Sequence, residues 1–401
     1  MLLKLLNGGS AERFVREIFD EAGVGVNGDQ PGDILVKNDA FYGRLVRDAS
    51  VGLGESYMEG WWECEALDKF IEKLLRIDIK KKIQGTLKMK LLTLQAIVTN
   101  MQSRARAKIV AEAHYDIGND LYEVMLDPRM IYTCGYFESL TPTDGGQAPR
   151  IPDTLDEVTA ENLAHAQERK LDLICRKAGL KPGMRVLDLG CGFGGFAMFA
   201  AERYGCHVRG YTISTQQQQW GAATAKKKGL DVDLRMQDYR AAEGRYDAVV
   251  SIGMLEHVGW RNLREFMQVV KRCLVPEGIS VLHTIGSPVT QKHGVPFFEK
   301  YIFPNASSPS IAMLGKAMEE LFILEDVQNI GPHYRPTLLG WWKNFNDHYK
   351  SLDQKKYDER FWRMWRFYLL ISAGAVSARE SQLYHVVMTH VGRAQPHCRL
   401  S

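Results

Sequence analysis

The residues best suited to chemistry are two carboxylates and one imidazole, each beside a predicted strand. Asp188 lies near the end of one strand in DLGCGFGG, Glu256 follows another in MLEHVG, and His283 ends a third in VLHTIG. The carboxyl ends of parallel strands meet at one edge of a sheet, and ligands bind there. Glu256 and His283 are therefore expected to act as acid–base or anion-binding groups at the edge that carries Asp188.

The glycines after Asp188 predict a turn in which the backbone passes close to a nucleoside ligand. Gly190, Gly192 and Gly195 also satisfy the G-x-G-x-x-G pattern of NAD sites. However, an acid two residues before Gly190 repels a pyrophosphate, whereas it can accept hydrogen bonds from a cationic amino-acid group. The second strand ends in GYTIS, without the acid that binds the ribose of NAD. The pattern favours S-adenosylmethionine, whose adenine is expected to face Asp238 in MQDYR.

Alternating strand and helix patterns provide the scaffold for these residues. The predicted elements are strands at 185–189, 207–211, 232–236, 246–252 and 278–283, and helices at 196–204, 216–228 and 263–273. This alternation predicts an α/β fold with a doubly wound, mostly parallel sheet covered by helices on both faces.

Length and composition narrow the class of protein. The chain has 401 residues, which is long enough for two or three domains. Its net charge of +3 is too small for a globally basic nucleic-acid binder. Its seven cysteines form no C-x-x-C pair, so neither a disulfide framework nor a metal site is expected. No apolar run reaches the roughly 18–20 residues of a membrane span, and MLLKLLNGGSAERF lacks the features of a signal peptide.

Three regions differ in sequence character. Residues 1–108 predict a small α/β or mainly helical domain that binds lipid or membrane, residues 109–160 a helical approach segment with a loop from 139, and residues 161–401 the catalytic domain. The basic segment, residues 76–108, carries nine basic residues against one acid, with an apolar stripe at helical spacing. This favours a helix on an anionic membrane surface, with a solvated face of a core helix as the alternative. The aromatic run at 361–370 is either an apolar lid or core packing.

A set of ordered motifs carries a resemblance to a known family. The motifs are GESYMEGWWEC (54–64), HYDIGNDLY (114–122), LDPRMIYTCGYF (126–137), VLDLGCGFGGFA, GYTIS, MLEHVG, LHTIG and YIFPN (301–305). They span nearly the whole chain, which resembles the bacterial cyclopropane-fatty-acid-phospholipid synthases. The resemblance implies a Rossmann-like class I methyltransferase fold.

The resemblance also implies a reaction and its residues. Family members transfer a methylene group from S-adenosylmethionine to the cis double bond of an unsaturated phospholipid acyl chain, through a carbocation that a bound bicarbonate deprotonates. The bicarbonate ligands correspond here to Cys134, Glu256, His283, Ile285 and Tyr334. The methyl-donor residues correspond to Tyr132, Thr133, Asp188, Gly190, Cys191, Gly192, Gly194, Thr212, Ser214, Gln217, Asp238 and Tyr239. One departure is Ser372, where relatives often carry cysteine, so an essential thiol role at this position is in doubt.

The expected partners are an unsaturated phospholipid, an anionic membrane surface and a second copy of the chain, with no nucleic acid. The expected location is the cytoplasm, peripherally at the inner face of the cytoplasmic membrane. Alternatives are a lipid methyltransferase that forms a methyl branch, a small-amine N-methyltransferase like those of plants, an NAD-dependent oxidoreductase and a lipid-binding protein without chemistry. The basic segment favours a lipid over a small amine, and Glu256 with His283 favours chemistry over binding alone.

Overall fold

A computed structural model describes residues 8–77, 117–139 and 150–400. Nearly all of the basic segment lies outside these ranges, as do residues 140–149 of the predicted loop, so the membrane role of the basic segment stays a prediction. Strands β1 (Leu35–Val36) and β2 (Trp62–Glu63) form a small antiparallel pair. One large sheet contains β3 (Arg185–Leu189), β4 (His207–Thr212), β5 (Val232–Met236), β6 (Tyr246–Ile252), β7 (Leu274–Gly286), β8 (Ile323–Asn329) and β9 (Gln382–Thr389).

The large sheet has the strand order β5-β4-β3-β6-β7-β9-β8. All neighbouring strands are parallel except β9, which is antiparallel to both β7 and β8. The chain first winds outward from β3 to β5 and then returns to pair β6 with β3. The predicted doubly wound, mostly parallel sheet is therefore confirmed, with its switch point between β3 and β6.

The predicted strands agree with the structure in the first half of the sheet and differ in the second. The strands predicted at 185–189, 232–236 and 246–252 have the observed bounds, but the strand predicted at 278–283 is too short at both ends. β7 continues to Gly286 because β9 pairs with it residue by residue from Ile279 onward. His283 therefore lies within β7 and not at its end, and β8 and β9 were not predicted.

Helices cover both faces of the sheet and form most of the N-terminal region. They are α1 (Gly8–Glu21), α2 (Ala40–Met58), α3 (Leu67–Arg76), α4 (Asn119–Met125), α5 (Ala160–Lys177), α6 (Gly195–Tyr204), α7 (Thr215–Lys227), α8 (Leu255–Val258), α9 (Leu263–Cys273), α10 (Pro296–Tyr301), α11 (Ile311–Met318), α12 (Tyr334–His348) and α13 (Glu359–Ser377). The described part of the predicted N-terminal region, residues 8–77, is thus mainly helical. Within the described ranges, no helix has both the length and the apolar character that a membrane crossing requires.

The largest apolar cluster joins the N-terminal helices to the C-terminal ones. Trp62 beside α2 and Trp365 of α13 are both fully buried in it. Gly374 lets α13 approach α3 closely, because a Cβ at this position would lie 2.4 Å from the backbone oxygen of Asp68. The aromatic run at 361–370 is therefore packed into a core that the first and third predicted regions share, and the boundaries of those regions stay predictions.

Candidate active site

A cavity of about 360 Å³ lies at the carboxyl edge of the sheet, beside the switch point. Its size falls in the range of small-molecule sites. The predicted anion ligands and most predicted methyl-donor residues line it: Cys134, Glu256, His283, Ile285, Tyr334, Tyr132, Thr133, Asp188, Gly190, Cys191, Gly192 and Gln217. Five predicted methyl-donor residues are not part of its lining: Gly194, Thr212, Ser214, Asp238 and Tyr239.

The glycine turn between β3 and α6 forms part of the cavity wall. Gly190 and Gly194 have φ angles of +81° and +78°, which residues with a Cβ rarely adopt. A Cβ on Gly190 would also lie 2.7 Å from the side chain of Met254. α6 begins directly after the turn, so its first backbone N–H groups lie at the cavity edge. The turn therefore has the close backbone approach that the sequence predicts for a nucleoside ligand.

Asp188 and Lys170 bring opposite charges into the same buried wall. Asp188, on β3, is buried, and its Oδ2 accepts no hydrogen bond from the described residues. Burial raises the pKa of Asp188 to about 7, although the charge of Lys170 opposes this rise. Burial lowers the pKa of Lys170 to about 8, and the nearby Asp127 and Asp188 oppose this change. The unfilled acceptor oxygen of Asp188 suits a cationic amino group.

Residues 131–134 pass along the cavity and are held by two side chains of α5. Lys170 Nζ donates to the Thr133 hydroxyl at 2.9 Å. Gln167 Nε2 donates to the Thr133 carbonyl oxygen at 2.8 Å. Because these two hydrogen bonds fix Thr133, the ring of Tyr132 before it and the thiol of Cys134 after it are held at the cavity wall.

Thr212 and Ser214 shape the start of α7. Ser214 caps this helix by accepting a hydrogen bond from the backbone N–H of Gln217 at 3.3 Å. The Thr212 hydroxyl donates to Gln217 Oε1 at 3.2 Å. Gln217 reaches the cavity, so the other two residues act on the site by positioning it.

Asp238 and Tyr239 follow β5 and contact other parts of the protein. The Asp238 carboxylate accepts from the backbone N–H of Arg240 at 2.9 Å and forms an ion pair with the same arginine at 3.0 Å. The Tyr239 ring packs against Phe266 with a centroid distance of 5.5 Å. The Asp238 carboxylate is therefore already engaged by Arg240, and its predicted contact with the adenine stays a prediction.

Glu256 lies in the single-turn helix α8 and is buried. Its Oε1 accepts a hydrogen bond from the backbone N–H of Ile285 at 2.5 Å, and its Oε2 accepts none from the described residues. Burial raises the pKa of Glu256 to about 7. The Ile285 N–H is thus engaged by Glu256, and Glu256 Oε2 can accept or donate a hydrogen bond near neutral pH.

His283 is backed by a second histidine on the neighbouring strand. Its Nδ1 lies 2.9 Å from Nε2 of His385, and its Nε2 has no partner among the described residues. Because His385 does not line the cavity, Nε2 is the ring nitrogen of His283 that is left for a ligand. Burial holds the pKa of His283 well below its usual value, and burial lowers that of His385 to about 3. Both rings are therefore neutral at physiological pH.

Cys134 and Tyr334 add a thiol and a phenol to the same wall. Cys134 is fully buried, burial raises the pKa of its thiol, and the thiol donates to the carbonyl oxygen of Gly135 at 3.2 Å. Burial also holds the pKa of Tyr334 well above its usual value. Both groups therefore carry a proton and can act as hydrogen-bond donors.

Aromatic side chains surround Tyr132 at the cavity. Its hydroxyl lies 2.8 Å from that of Tyr368, and its ring lies 5.0 Å from Trp341 and 5.3 Å from Tyr122 between centroids. The faces of such rings attract positive charge. This cluster therefore suits a cationic ligand or intermediate.

An apolar part of the wall comes from both ends of the chain. It includes Leu75 of α3, Phe298 of α10, Leu338 of α12 and Val376 of α13. Ser372 also lines the cavity, and its hydroxyl donates to the backbone of α13. The N-terminal region thus contributes to an apolar surface beside the polar site, and position 372 supplies no thiol.

Two polar residues that contact predicted site residues were not predicted, Lys170 and His385. Lys170 lies on the buried face of α5, in helical register with Leu163, Gln167 and Ile174. A lysine within an apolar stripe is a signal that sequence reasoning can use, because lysine is almost never buried without a role. His385 belongs to a strand in which all residues are buried, and that strand itself was missed.

Comparisons with known proteins agree with this geometry. The family model described as mycolic acid cyclopropane synthetase matches residues 102–386. A cyclopropane-fatty-acyl-phospholipid synthase of Escherichia coli K12 is 43% identical over 377 residues, which cover 94% of this chain and 93% of that protein. A probable fatty acid methyltransferase of Pseudomonas putida is 34% identical over 357 residues, with 84% and 81% covered. The crystal structure of mycolic acid cyclopropane synthase CmaA1 with SAH and CTAB has a TM-score of 0.61 at 27% identity, covering 70% of this chain and 97% of that one.

These similarities confirm the predicted class I methyltransferase fold and the resemblance on which the predicted residues depend. They also support S-adenosylmethionine as the methyl donor, since a solved relative binds its product form, SAH. Every predicted site residue lies inside the matched range. The chain belongs to the mycolic acid cyclopropane synthetase family and is an S-adenosylmethionine-dependent methyltransferase of the cyclopropane-fatty-acyl-phospholipid synthase class.

Proposed function

We propose that the protein forms a cyclopropane ring on the cis double bond of an unsaturated phospholipid acyl chain, with S-adenosylmethionine as methyl donor and bicarbonate as base. One observation supports this above all. Asp188 Oδ2, Glu256 Oε2 and His283 Nε2 are buried, have no hydrogen-bond partner among the described residues, and belong to residues that line one cavity together with aromatic and apolar side chains. Buried polar atoms are rarely left unpaired, so ligands are expected to satisfy these three.

The methyl donor is proposed to lie along the glycine turn. Asp188 Oδ2 then accepts from its amino group, and the first N–H groups of α6 lie close by. The aromatic faces around Tyr132 favour the positive charge of a sulfonium. Lys170, held at Thr133, keeps this wall in place.

The acyl chain is proposed to lie against the apolar wall formed by Leu75, Phe298, Leu338 and Val376. An alkene is a weak nucleophile, so the walls must hold it at near-attack distance from the methyl group. A carbocation formed by methyl transfer must also be kept from water, which the apolar and aromatic walls exclude.

The anion is proposed to be held by the donors on the opposite wall. Tyr334 and, in its protonated form, Glu256 can each donate a hydrogen bond to it, and His283 can do so through Nε2. The Cys134 thiol can donate to it by turning away from the carbonyl oxygen of Gly135. Ile285 acts through its bond to Glu256. Bicarbonate bound at this wall supplies the base that takes a proton from the new methyl group.

Product analysis tests this function directly. Purified protein is incubated with S-adenosylmethionine, bicarbonate and vesicles of unsaturated phospholipid, and the acyl chains are analysed by mass spectrometry and proton NMR. We expect the mass of one CH₂ group to be added per modified chain, with loss of the olefinic protons. The same added mass with retention of the alkene would show methyl branching, and no added mass would contradict the proposal.

We further propose that the protein acts as a peripheral homodimer at the inner face of the cytoplasmic membrane. The charge of the basic segment supports the membrane part, and the family resemblance supports the dimer. Reversal of the charges at Lys80, Lys81 and Lys82 is expected to weaken binding to anionic vesicles, because it turns an attraction into a repulsion. The effect should be largest at low salt, since high salt screens the charges.

The exposed lysines at the end of α7, Lys226 to Lys228, provide a matched control for that reversal. Reversal of their charges should leave vesicle binding unchanged. Equal loss in both variants contradicts a specific role of the basic segment. A monomer in sedimentation experiments with full-length protein contradicts the dimer.

A further inference from the structure

Three polar side chains form a row across the C-terminal strands of the sheet. His283 of β7 pairs directly with His385 of β9, and His385 pairs directly with Gln328 of β8. Residues paired in this way have side chains on the same face of a sheet. Of the three, only His283 lines the cavity, so His385 lies behind the site and is fully buried.

In the contact between the two histidines, one ring donates a hydrogen bond and the other accepts it. Both rings are neutral, because burial lowers both pKa values and the nearby charges of Lys170 and Lys177 act in the same direction. Each neutral ring carries one proton, and a contact of 2.9 Å between His283 Nδ1 and His385 Nε2 requires one donor and one acceptor. Two arrangements therefore exist, and they differ in which nitrogen of His283 carries the proton.

The surroundings favour one of these arrangements. If His283 donates through Nδ1, then the proton of His385 lies on its Nδ1, which has no acceptor among the described residues. Gln328 Oε1, from the next strand, forms no hydrogen bond with it. If His385 donates through Nε2, the proton of His283 lies on its own Nε2, at the cavity, where a bound anion can accept it. Buried donors without acceptors are rare, so the second arrangement is the stable one when an anion is bound.

We propose that His385 is a positioning residue: its Nε2–H donates to Nδ1 of His283 and thereby keeps the proton of His283 on Nε2, directed at the bound anion. The identity of the anion rests on the proposed function, whereas the position of the proton does not. His385 touches neither substrate nor anion, and its effect passes entirely through His283.

The position of the proton is tested by ¹⁵N NMR of full-length protein labelled at histidine. The His283 signals are assigned by their loss in His283→Asn. We expect the Nε2 of His283 to be protonated and its Nδ1 to be an acceptor. Protonation of Nδ1 in the protein saturated with SAH and bicarbonate overturns the proposal, and this result depends on no variant of His385.

The consequence for the site is tested with two substitutions of similar size. The amide nitrogen of His385→Gln can still donate to His283, whereas His385→Leu cannot. We expect His385→Leu to raise the bicarbonate concentration needed for half-maximal turnover by about tenfold or more, because the hydrogen bond at stake is made to a charged group. The dissociation constant of SAH should stay within about twofold, as expected when distant sites do not couple.

His385→Gln should restore the bicarbonate dependence to within about threefold of the unmodified protein, which a merely space-filling role does not predict. If both variants behave alike, or if neither changes the bicarbonate dependence, His385 does not position His283. If the unmodified protein itself shows no bicarbonate dependence, the proposed anion is wrong, while the NMR result still decides where the proton lies.

Discussion

Two lysines on the same face of α5, Lys170 and Lys177, lie in opposite electrostatic environments. Lys177 Nζ donates to Asp326 at 2.8 Å and to the carbonyl oxygen of Cys398 at 2.9 Å, with both charged groups buried. Burial opposes ionisation of Asp326, but Lys177 and Arg399 outweigh it and lower the pKa of this carboxyl. Each charge in this cluster is therefore compensated.

Lys170, in contrast, has no ion-pair partner among the described residues. It donates to the neutral hydroxyl of Thr133. The pKa values of Asp188 and Glu256 rise to about 7, and a polar atom of each lacks a partner. The comparison shows that one helix carries a structural ion pair at its C-terminal end and faces a site prepared for ligands two turns earlier.

Glu256→Gln should have the largest effect, on turnover. Glu256 holds the anion that acts as the base, and loss of a base at the reacting centre commonly costs about 10²–10⁴-fold, so we expect turnover to fall by about 10³-fold. SAH binding, measured by calorimetry, should be retained, because Glu256 lies on the anion wall. Asp326→Asn is the matched control and should leave turnover of the folded protein intact. Unchanged turnover in Glu256→Gln removes Glu256 from the proposed chemistry.

Lys177→Met should lower the free energy of unfolding by about 3 kcal/mol, because the buried Asp326 then keeps only the exposed Arg399 as an ion-pair partner. Lys170→Met should cost no more than about 1 kcal/mol in the ligand-free protein, since no ion pair is broken. Urea denaturation measures both values. Equal losses in the two variants would show that the environments of Lys170 and Lys177 do not differ as described.

Asp188→Asn should weaken SAH binding by about 10–100-fold, because a hydrogen bond between charged groups is lost. Its free energy of unfolding should be equal to that of the unmodified protein or higher, since the substitution removes a buried carboxylate. Calorimetric titration with SAH measures the first effect. Unchanged affinity would contradict the placement of the amino group at Asp188.

The last expected effect is a pH dependence of roughly 1.4 kcal/mol per pH unit in the stability difference between Glu256→Gln and the unmodified protein. Between pH 4.5 and about 7 the unfolded chain releases the proton of Glu256, whereas the folded chain retains it. The unmodified protein therefore loses stability relative to Glu256→Gln as pH rises through this window.

Asp326→Asn should show the opposite pH dependence. Because the pKa of Asp326 is lowered from 3.8, its stabilisation is present above that pH and is lost as pH falls. Denaturation at several pH values tests both slopes. If the stability differences of the two variants changed with pH in the same direction, the distinction between the buried Glu256 and the ion-paired Asp326 would be wrong.

Sequence reasoning located the first half of the sheet and twelve of the residues that line the cavity. The strands at 185–189, 232–236 and 246–252 were predicted with their observed bounds, because short apolar runs between turns are local signals. β9 was missed because nothing in the sequence of the C-terminal stretch indicates that it pairs with β7, which lies about a hundred residues earlier. The length of β7 was wrong for the same reason.

By itself, the sequence determined the reaction class and the residue types of the site. The acid before the glycine turn and the ordered motifs contain that information in short, contiguous stretches. Only the tertiary structure decided which of these groups are left without partners, since the bonds from Lys170 to Thr133 and from His385 to His283 join distant segments. Hydrogen-bond satisfaction depends on such long-range contacts, so no local pattern could distinguish the compensated Lys177 from the uncompensated Lys170.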